Sequence, residues 1–210
     1  VTNPKIVILD FGSGNTHSVV NAFEEIGAEV ELTSDRNAAL NADGLVIPGV
    51  GAFETVMRQL RSVGGPGIVD QRLAAGRAVF GICVGLQVMF ESGTEHGVET
   101  EGLGQWPGSV TKLDSPTLPH IGWNDVDVPS GSKLFEGISD RQFYFVHTYA
   151  AATFTLEDDT PFEKPLVSWS EYGSKFVAAV ENGPLTATQF HPEKSGRAGL
   201  TLLNNWIKNL

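Results

Sequence analysis

Three short apolar runs, each ending in a glycine-bearing loop and then a helix-spaced pattern, limit what this chain can become. Lys5-Ile6-Val7-Ile8-Leu9 runs into Asp10-Phe11-Gly12-Ser13-Gly14-Asn15, and Leu45-Val46-Ile47 runs into Pro48-Gly49-Val50-Gly51-Ala52-Phe53. Ala78-Val79-Phe80 runs into Gly81-Ile82-Cys83-Val84-Gly85. Near-continuous hydrophobicity over so few residues suits strands buried on both faces, as in a parallel sheet covered by helices. The stretches between them agree. Val19, Val20, Phe23 and Ile26 form a helical stripe with Gly27 at its C-terminal cap. Val56, Met57 and Leu60 form a second, and Ile68, Val69 and Leu73 a third. Ala28 to Thr33 alternates as a further strand.

The second half is richer in strands, expected over Ser109 to Leu113, Asp125 to Val128, Arg141 to Val146, Leu166 to Trp169, and Phe176 to Glu181. The last is joined through Asn182-Gly183 to Leu185–Phe190, and Asn-Gly between alternating runs signals a hairpin. Leu200, Leu203, Trp206 and Ile207 mark a closing helix. The expected fold is α/β: a central, mostly parallel sheet flanked by helices, with added antiparallel strands in the C-terminal half. At 210 residues, with no repeat or linker, a single domain over 1–210 is expected.

The segment Gly81-Ile82-Cys83-Val84-Gly85-Leu86-Gln87 joins a strand to a helical pattern that continues through Val88, Met89 and Phe90. A nucleophile on such a turn is held exposed at the end of a sheet, and small flanking residues relieve the crowding there. At a helix N-terminus a thiol is lowered from its free pKa of roughly 8.5. A lone Cys in an apolar stretch is most often a small buried hydrophobe. Two flanking glycines have no place in that reading, and Gln87 sets an amide one helical turn along the same face.

The other loops are less distinctive. Gly12-x-Gly14 is a fragment of a dinucleotide fingerprint, but position 17 is His where the third glycine belongs, and a tight turn accounts for the pair. A formal net charge of −11 argues against a broad nucleic-acid footprint. One cysteine allows neither an internal disulfide nor a thiolate metal cluster. No leader pattern is visible, and no apolar run approaches the ~20 residues that span a bilayer, so a reducing cytoplasm is the expected setting.

A thiol nucleophile requires a base, and the base requires a group to orient it. Of five histidines, His17 and His96 lie among polar residues and read as surface, while His120 and His147 suit satisfied structural positions. His191 differs. It ends a strand, precedes Pro192, which favours extended backbone, and stands two residues before Glu193, on the same side of the chain. A carboxylate there fixes the imidazole tautomer, as the third member of a triad does. The competing reading is a turn with a surface ion pair.

Taken together, Gly81-x-Cys83-x-Gly85-x-Gln87 and His191-Pro192-Glu193 resemble the triad, or class I, glutamine amidotransferases. Pro48-Gly49-Val50-Gly51-Ala52-Phe53, Pro119-His120-Ile121-Gly122-Trp123-Asn124 and Gln189-Phe190-His191-Pro192-Glu193-Lys194-Ser195 narrow the resemblance to the glutaminase subunits of imidazole glycerol phosphate synthase. It covers the chain from first strand to last helix. Two positions depart from the family pattern: Thr16-His17 stands where Leu-Arg is frequent, and Thr148 where Ser is. The glutaminase of pyridoxal phosphate synthase is the nearest rival, and a silent binding module on the same fold is a rival of another class. The sequences around Pro48 and His120 oppose the first, and intact Cys83, His191 and Glu193 oppose the second.

The resemblance implies hydrolysis of L-glutamine to glutamate and ammonia through a thioester on Cys83, without a cofactor or metal, with His191 as acid and base and Glu193 holding it. The Val84 N–H, next after the nucleophile, is the natural first oxyanion donor. The resemblance suggests a second from Gly49-Val50-Gly51, whose glycine freedom would let the Gly49-Val50 peptide turn away at rest. It assigns Gly51, Gln87, Glu95, His147, Thr148 and Tyr149 to substrate. It also implies ammonia transfer to a (β/α)8-barrel cyclase partner of histidine biosynthesis, expected to dock over Asn15, Trp123 and Lys194. The plainer reading of that face is a core Trp and a solvated Lys.

Overall fold

In the computed structural model, which describes residues 3–155 and 164–210, the apolar runs lie side by side in a parallel sheet. The chain begins β1 (Lys5–Leu9), α1 (Thr16–Glu25), β2 (Glu29–Thr33), α2 (Arg36–Asn41), β3 (Gly44–Gly49), α3 (Phe53–Ser62), α4 (Gly65–Ala74) and β4 (Ala78–Cys83). It continues α5 (Val84–Gln87), β5 (Phe90–Glu95), β6 (Val98–Glu101), β7 (Trp106–Lys112), β8 (His120–Asn124), β9 (Phe143–His147) and β10 (Tyr149–Ala151). It closes with β11 (Leu166–Tyr172), β12 (Ser174–Asn182), β13 (Leu185–Thr188), a 3-10 turn over Pro192–Lys194, and α6 (Gly196–Lys208).

The main sheet has the order β11-β12-β13-β4-β3-β1-β2. β2, β1, β3, β4 and β13 are parallel, and β12 and β11 extend the sheet antiparallel. Ile6 to Leu9, Leu45 to Ile47, Val79 and Phe80 are wholly buried, as strands covered on both faces must be. Strand order reverses beside β1. With right-handed crossovers, α1 therefore covers one face and the helices that follow β2 and β3 the other. α6 joins α1, where Trp206 stacks its edge on Phe23 and lies against Phe80. The reversal also gathers the loops after β1, β3 and β4 at one end of the sheet, where open α/β sheets bind ligands.

Two smaller sheets cover that end: β10-β7-β5-β6 and the β8-β9 hairpin. Arg72 is buried and caps the α2–β3 corner by donating to the carbonyls of Ala39, Leu40, Ala42, Asp43 and Ala78.

The structure corrects several sequence expectations. The helix after Cys83 stops at Gln87, and Phe90 begins a strand. Tertiary bonding decides this: the carbonyls of Val88, Met89 and Phe90 are taken by N–H groups of Leu103, Gln105, Trp106 and Gly104, leaving none for a helical ladder. Asp125–Val128 is no strand, only a bridge between Asp127 and Trp169, and the strand before it is β8. The hairpin loop is Gly183-Pro184, because Asn182 still pairs with Leu185.

Candidate active site

Cys83 ends β4 with φ 57 and ψ −110, a backbone state that side-chain-bearing residues rarely adopt. Such strain persists only where the surroundings enforce it, and here they do. A Cβ on Gly85 would stand 2.0 Å from the Ile47 oxygen, and one on Gly81 would stand 2.5 Å from the Gly85 oxygen. The elbow is thus wedged against β3 with no space for larger residues. α5 starts at Val84, so Cys83 sits immediately before its first turn.

His191 follows β13 and is held at both ends of its peptide. Its N–H donates to the Tyr144 carbonyl at 2.9 Å, and its carbonyl accepts from Ser195 Oγ at 2.7 Å. Nδ1 meets Glu193 Oε1 at 2.7 Å, with both side chains almost wholly buried. The ring also stands near enough to Cys83, beside it in the cavity lining, to respond to its charge. Burial alone would disfavour its charged form, but Cys83 and Glu193 together outweigh it and push the pKa up to about 10. Cys83, His191 and Glu193 therefore stand together, the last two joined by a hydrogen bond, and the surface ion-pair reading is excluded by burial.

A cavity of about 400 Å³ opens over the sulfur, lined by Val50, Gly51, Cys83, Val84, Gln87, Glu95, His147, Thr148, Tyr149, His191 and Lys194 among others. The structure thus brings each substrate residue expected from the sequence to one wall or another, together with His96, which is exposed as the sequence reading had it. Burial pushes the Glu95 carboxyl upward, against a bond from the Phe53 N–H. Gly51 has φ 99 and open space around its Cα. The Val50 N–H donates to Ser13 Oγ at 3.2 Å, toward the β1 side of β3, whereas Cys83 lies on the β4 side.

Gln87 does not reach the sulfur. Its Nε2 donates to the Tyr149 carbonyl at 2.9 Å and to Gln189 Oε1 at 3.0 Å. The amide on the sulfur is that of Gln189, whose Nε2 lies 3.7 Å from Sγ. Sequence reading missed Gln189, although its position two residues before His191 puts it on the same side of extended backbone.

His120 and His147 form a neutral buried pair, with His120 Nδ1 and His147 Nε2 2.9 Å apart. His147 Nδ1 faces the Tyr149 carbonyl at 3.0 Å, which only accepts, so Nδ1 carries the proton and Nε2 accepts from His120. His120 Nε2 then accepts from Asn124 Nδ2 at 3.4 Å. Burial depresses both rings, to about 4 for His120 and about 3 for His147. His120 is sandwiched between the rings of Tyr172 and Phe145.

Of the residues expected at a partner face, Asn15 and Lys194 are exposed, and Asn15 Nδ2 stands 3.5 Å from Glu193 Oε1. Trp123 is 53% exposed and Ile121 58% exposed on the outer face of β8, so Trp123 is not a core residue.

A model of the glutamine amidotransferase class-I family matches residues 7–210. The chain belongs to the class-I glutamine amidotransferases. Among relatives of this amidotransferase, the imidazole glycerol phosphate synthase subunit HisH of Leifsonia xyli subsp. xyli is 62% identical over 205 residues, covering 98% of each chain. The protein of the same name from Nocardia farcinica is 56% identical over the full length of both. The solved glutaminase domain of Trypanosoma brucei CTPS shares the amidotransferase fold. It has a TM-score of 0.63 at 18% identity, covering 99% of this chain and 94% of that one.

Proposed function

We propose that the chain is the glutaminase subunit of an imidazole glycerol phosphate synthase, hydrolysing L-glutamine and delivering ammonia to a cyclase partner in histidine biosynthesis. The observation that carries this reading is the buried series Cys83–His191–Glu193 at the mouth of a cavity sized for an amino acid, in a chain collinear with its HisH relatives. We take residues 1–210 to work as one domain. The cytoplasm is the proposed setting, and no helix among the described residues is long and apolar enough to cross a membrane.

In this mechanism the Cys83 thiolate adds to the carboxamide carbon, and the oxyanion is taken by the Val84 N–H and by a peptide N–H of the Gly49-Val50-Gly51 turn. His191 then protonates the departing nitrogen as the C–N bond breaks, leaving a thioester. The environment of His191 drives the step. Two of the influences that raise its pKa come from Cys83, and both vanish once the sulfur is acylated. The ring then accepts a proton from water, which attacks the thioester and releases glutamate. Glu95 is suited to the α-ammonium of glutamine, and Gly51, Gln87, His147, Thr148 and Tyr149 enclose the rest.

The partner is proposed to be a (β/α)8-barrel cyclase, docked over Asn15, Trp123 and Lys194. Exposed Trp123 supports this, since Trp is a frequent interface anchor. The deciding experiment is co-purification with the barrel cyclase of the same cell, followed by glutamate release with and without its nucleotide substrate. Partner-stimulated hydrolysis is expected. A chain that neither binds the cyclase nor hydrolyses glutamine in its presence would overturn the reading.

A further inference from the structure

We propose that Gln189 is a further catalytic residue of this site, its carboxamide N–H donating to the Cys83 sulfur and supporting the thiolate. The inference rests on the reading of Cys83 as the nucleophile.

The orientation of the carboxamide follows from hydrogen-bond logic. The Tyr149 carbonyl only accepts, so the Gln87 atom 2.9 Å from it is the nitrogen. That same nitrogen lies 3.0 Å from one end of the Gln189 amide, which must therefore be the oxygen. The other end, 3.7 Å from Cys83 Sγ, is then the NH₂ group. A donor is thus aimed at the sulfur by a backbone atom two side chains away.

The sulfur needs such a donor. Sγ also lies 3.8 Å from the Val146 carbonyl, which takes the S–H of the neutral thiol. When that proton leaves, the carbonyl faces an anion, and Cys83 is only 4% exposed, so water offsets little of this. Gln189 is wholly buried and supplies the replacement from the protein interior. Hydrogen bonds to an ionised partner are roughly twice as strong as neutral ones. The titratable groups that line the cavity with the sulfur are His191, His147, Glu95, His96, Tyr149 and Lys194. His147 has both ring nitrogens engaged and His191 has Nδ1 on Glu193, while the Gln189 oxygen is taken by Gln87, which leaves the Gln189 N–H for the sulfur.

The test is the pH dependence of alkylation by iodoacetamide in the full chain alone, where the single cysteine makes the signal unambiguous. In Gln189→Met, which keeps length and removes the donor, the thiolate midpoint is expected to rise by about one to two pH units, the shift equivalent to losing one hydrogen bond to a charged group. Gln189→Glu should raise it at least as far. Gln87→Met, which leaves Gln189 in place but releases its orientation, gives a third reading if the first two do not fold. An upward shift supports the assignment. A midpoint unchanged in whichever variants retain native circular dichroism overturns it. Alkylation requires neither glutamine nor partner, so a normal titration shift in a chain inert toward glutamine would sink the glutaminase reading and leave Gln189 assigned.

Discussion

The Ser13 hydroxyl accepts the Val50 N–H at 3.2 Å, across β3 from Cys83. A donor so engaged contributes nothing to an oxyanion over Cys83, and a missing oxyanion donor costs about a hundred- to a thousand-fold in rate. Ser13→Ala removes the competing acceptor, worth about 1 kcal/mol, so basal glutamine hydrolysis by the isolated chain is expected to rise roughly fivefold. Glutamate release without the cyclase measures it. An unchanged basal rate, with partner stimulation intact, would show that Ser13 holds nothing back.

Substitutions at Cys83 separate chemistry from strain. Cys83→Ala and Cys83→Gly both remove the sulfur and should abolish turnover. The backbone at φ 57 and ψ −110 is strained for Ala and tolerated by Gly. Cys83→Gly should therefore be more stable than Cys83→Ala by about 1 kcal/mol in urea unfolding. Equal stabilities would mean that the elbow relaxes when the thiol is gone.

Within the proposed triad, His191→Ala should be nearly as severe as Cys83→Ala, because it removes the residue proposed as both acid and base. Glu193→Ala should be milder, since Glu193 orients the ring through its 2.7 Å contact without taking the proton. Turnover numbers with the partner present give the ranking, and a Glu193 variant worse than the His191 variant would reverse the roles.

The histidine pair predicts acid lability. Both rings are depressed in the folded state, to about 4 and about 3, from an unfolded value near 6.5. Between these limits the unfolded chain binds more protons, so stability rises with pH there and is lost as pH falls from about 6.5 toward 4. Protonation would also set N–H against N–H between His120 and His147. The unfolding free energy of His120→Gln, followed from pH 7 to 4.5, should fall less steeply than that of the unaltered chain. Parallel slopes would contradict the neutral pair.

At the proposed partner face, Lys194→Glu should weaken cyclase binding in a titration, while leaving the midpoint of thermal unfolding within a degree or two, because Lys194 is exposed and lacks an ion pair among the described residues. Undiminished binding would remove Lys194 from the interface.

The legible parts of the sequence are those where chemistry and local pattern coincide. β1, β3 and β4 announce themselves through Ile6 to Leu9, Leu45 to Ile47 and Ala78 to Phe80, because burial on both faces leaves no polar position to confuse the period. Cys83, His191 and Glu193 stand out through their glycine and proline neighbours. Val88-Met89-Phe90 misleads, because an apolar triplet suits helix or strand alike and the choice falls to Leu103 and Gln105, distant in pattern though bonded in space. β8 escapes because its alternation is inverted: His120 points inward while Ile121 and Trp123 face out. Ser13 carries no local signal, and Gln189 only its register with His191, since the significance of both lies in which atoms the fold sets against them.

The Tyr149 carbonyl takes bonds from both Gln87 and His147, and the direction of each bond beyond them is set by it. That oxygen belongs to the main chain, so every amino acid at position 149 would carry it. Mutation can reshape the cavity wall there, or silence any side chain along the line, without reversing the sense in which the line is read. Whatever the ring of Tyr149 contributes to the cavity wall, the reference for the surroundings of Cys83 does not depend on it.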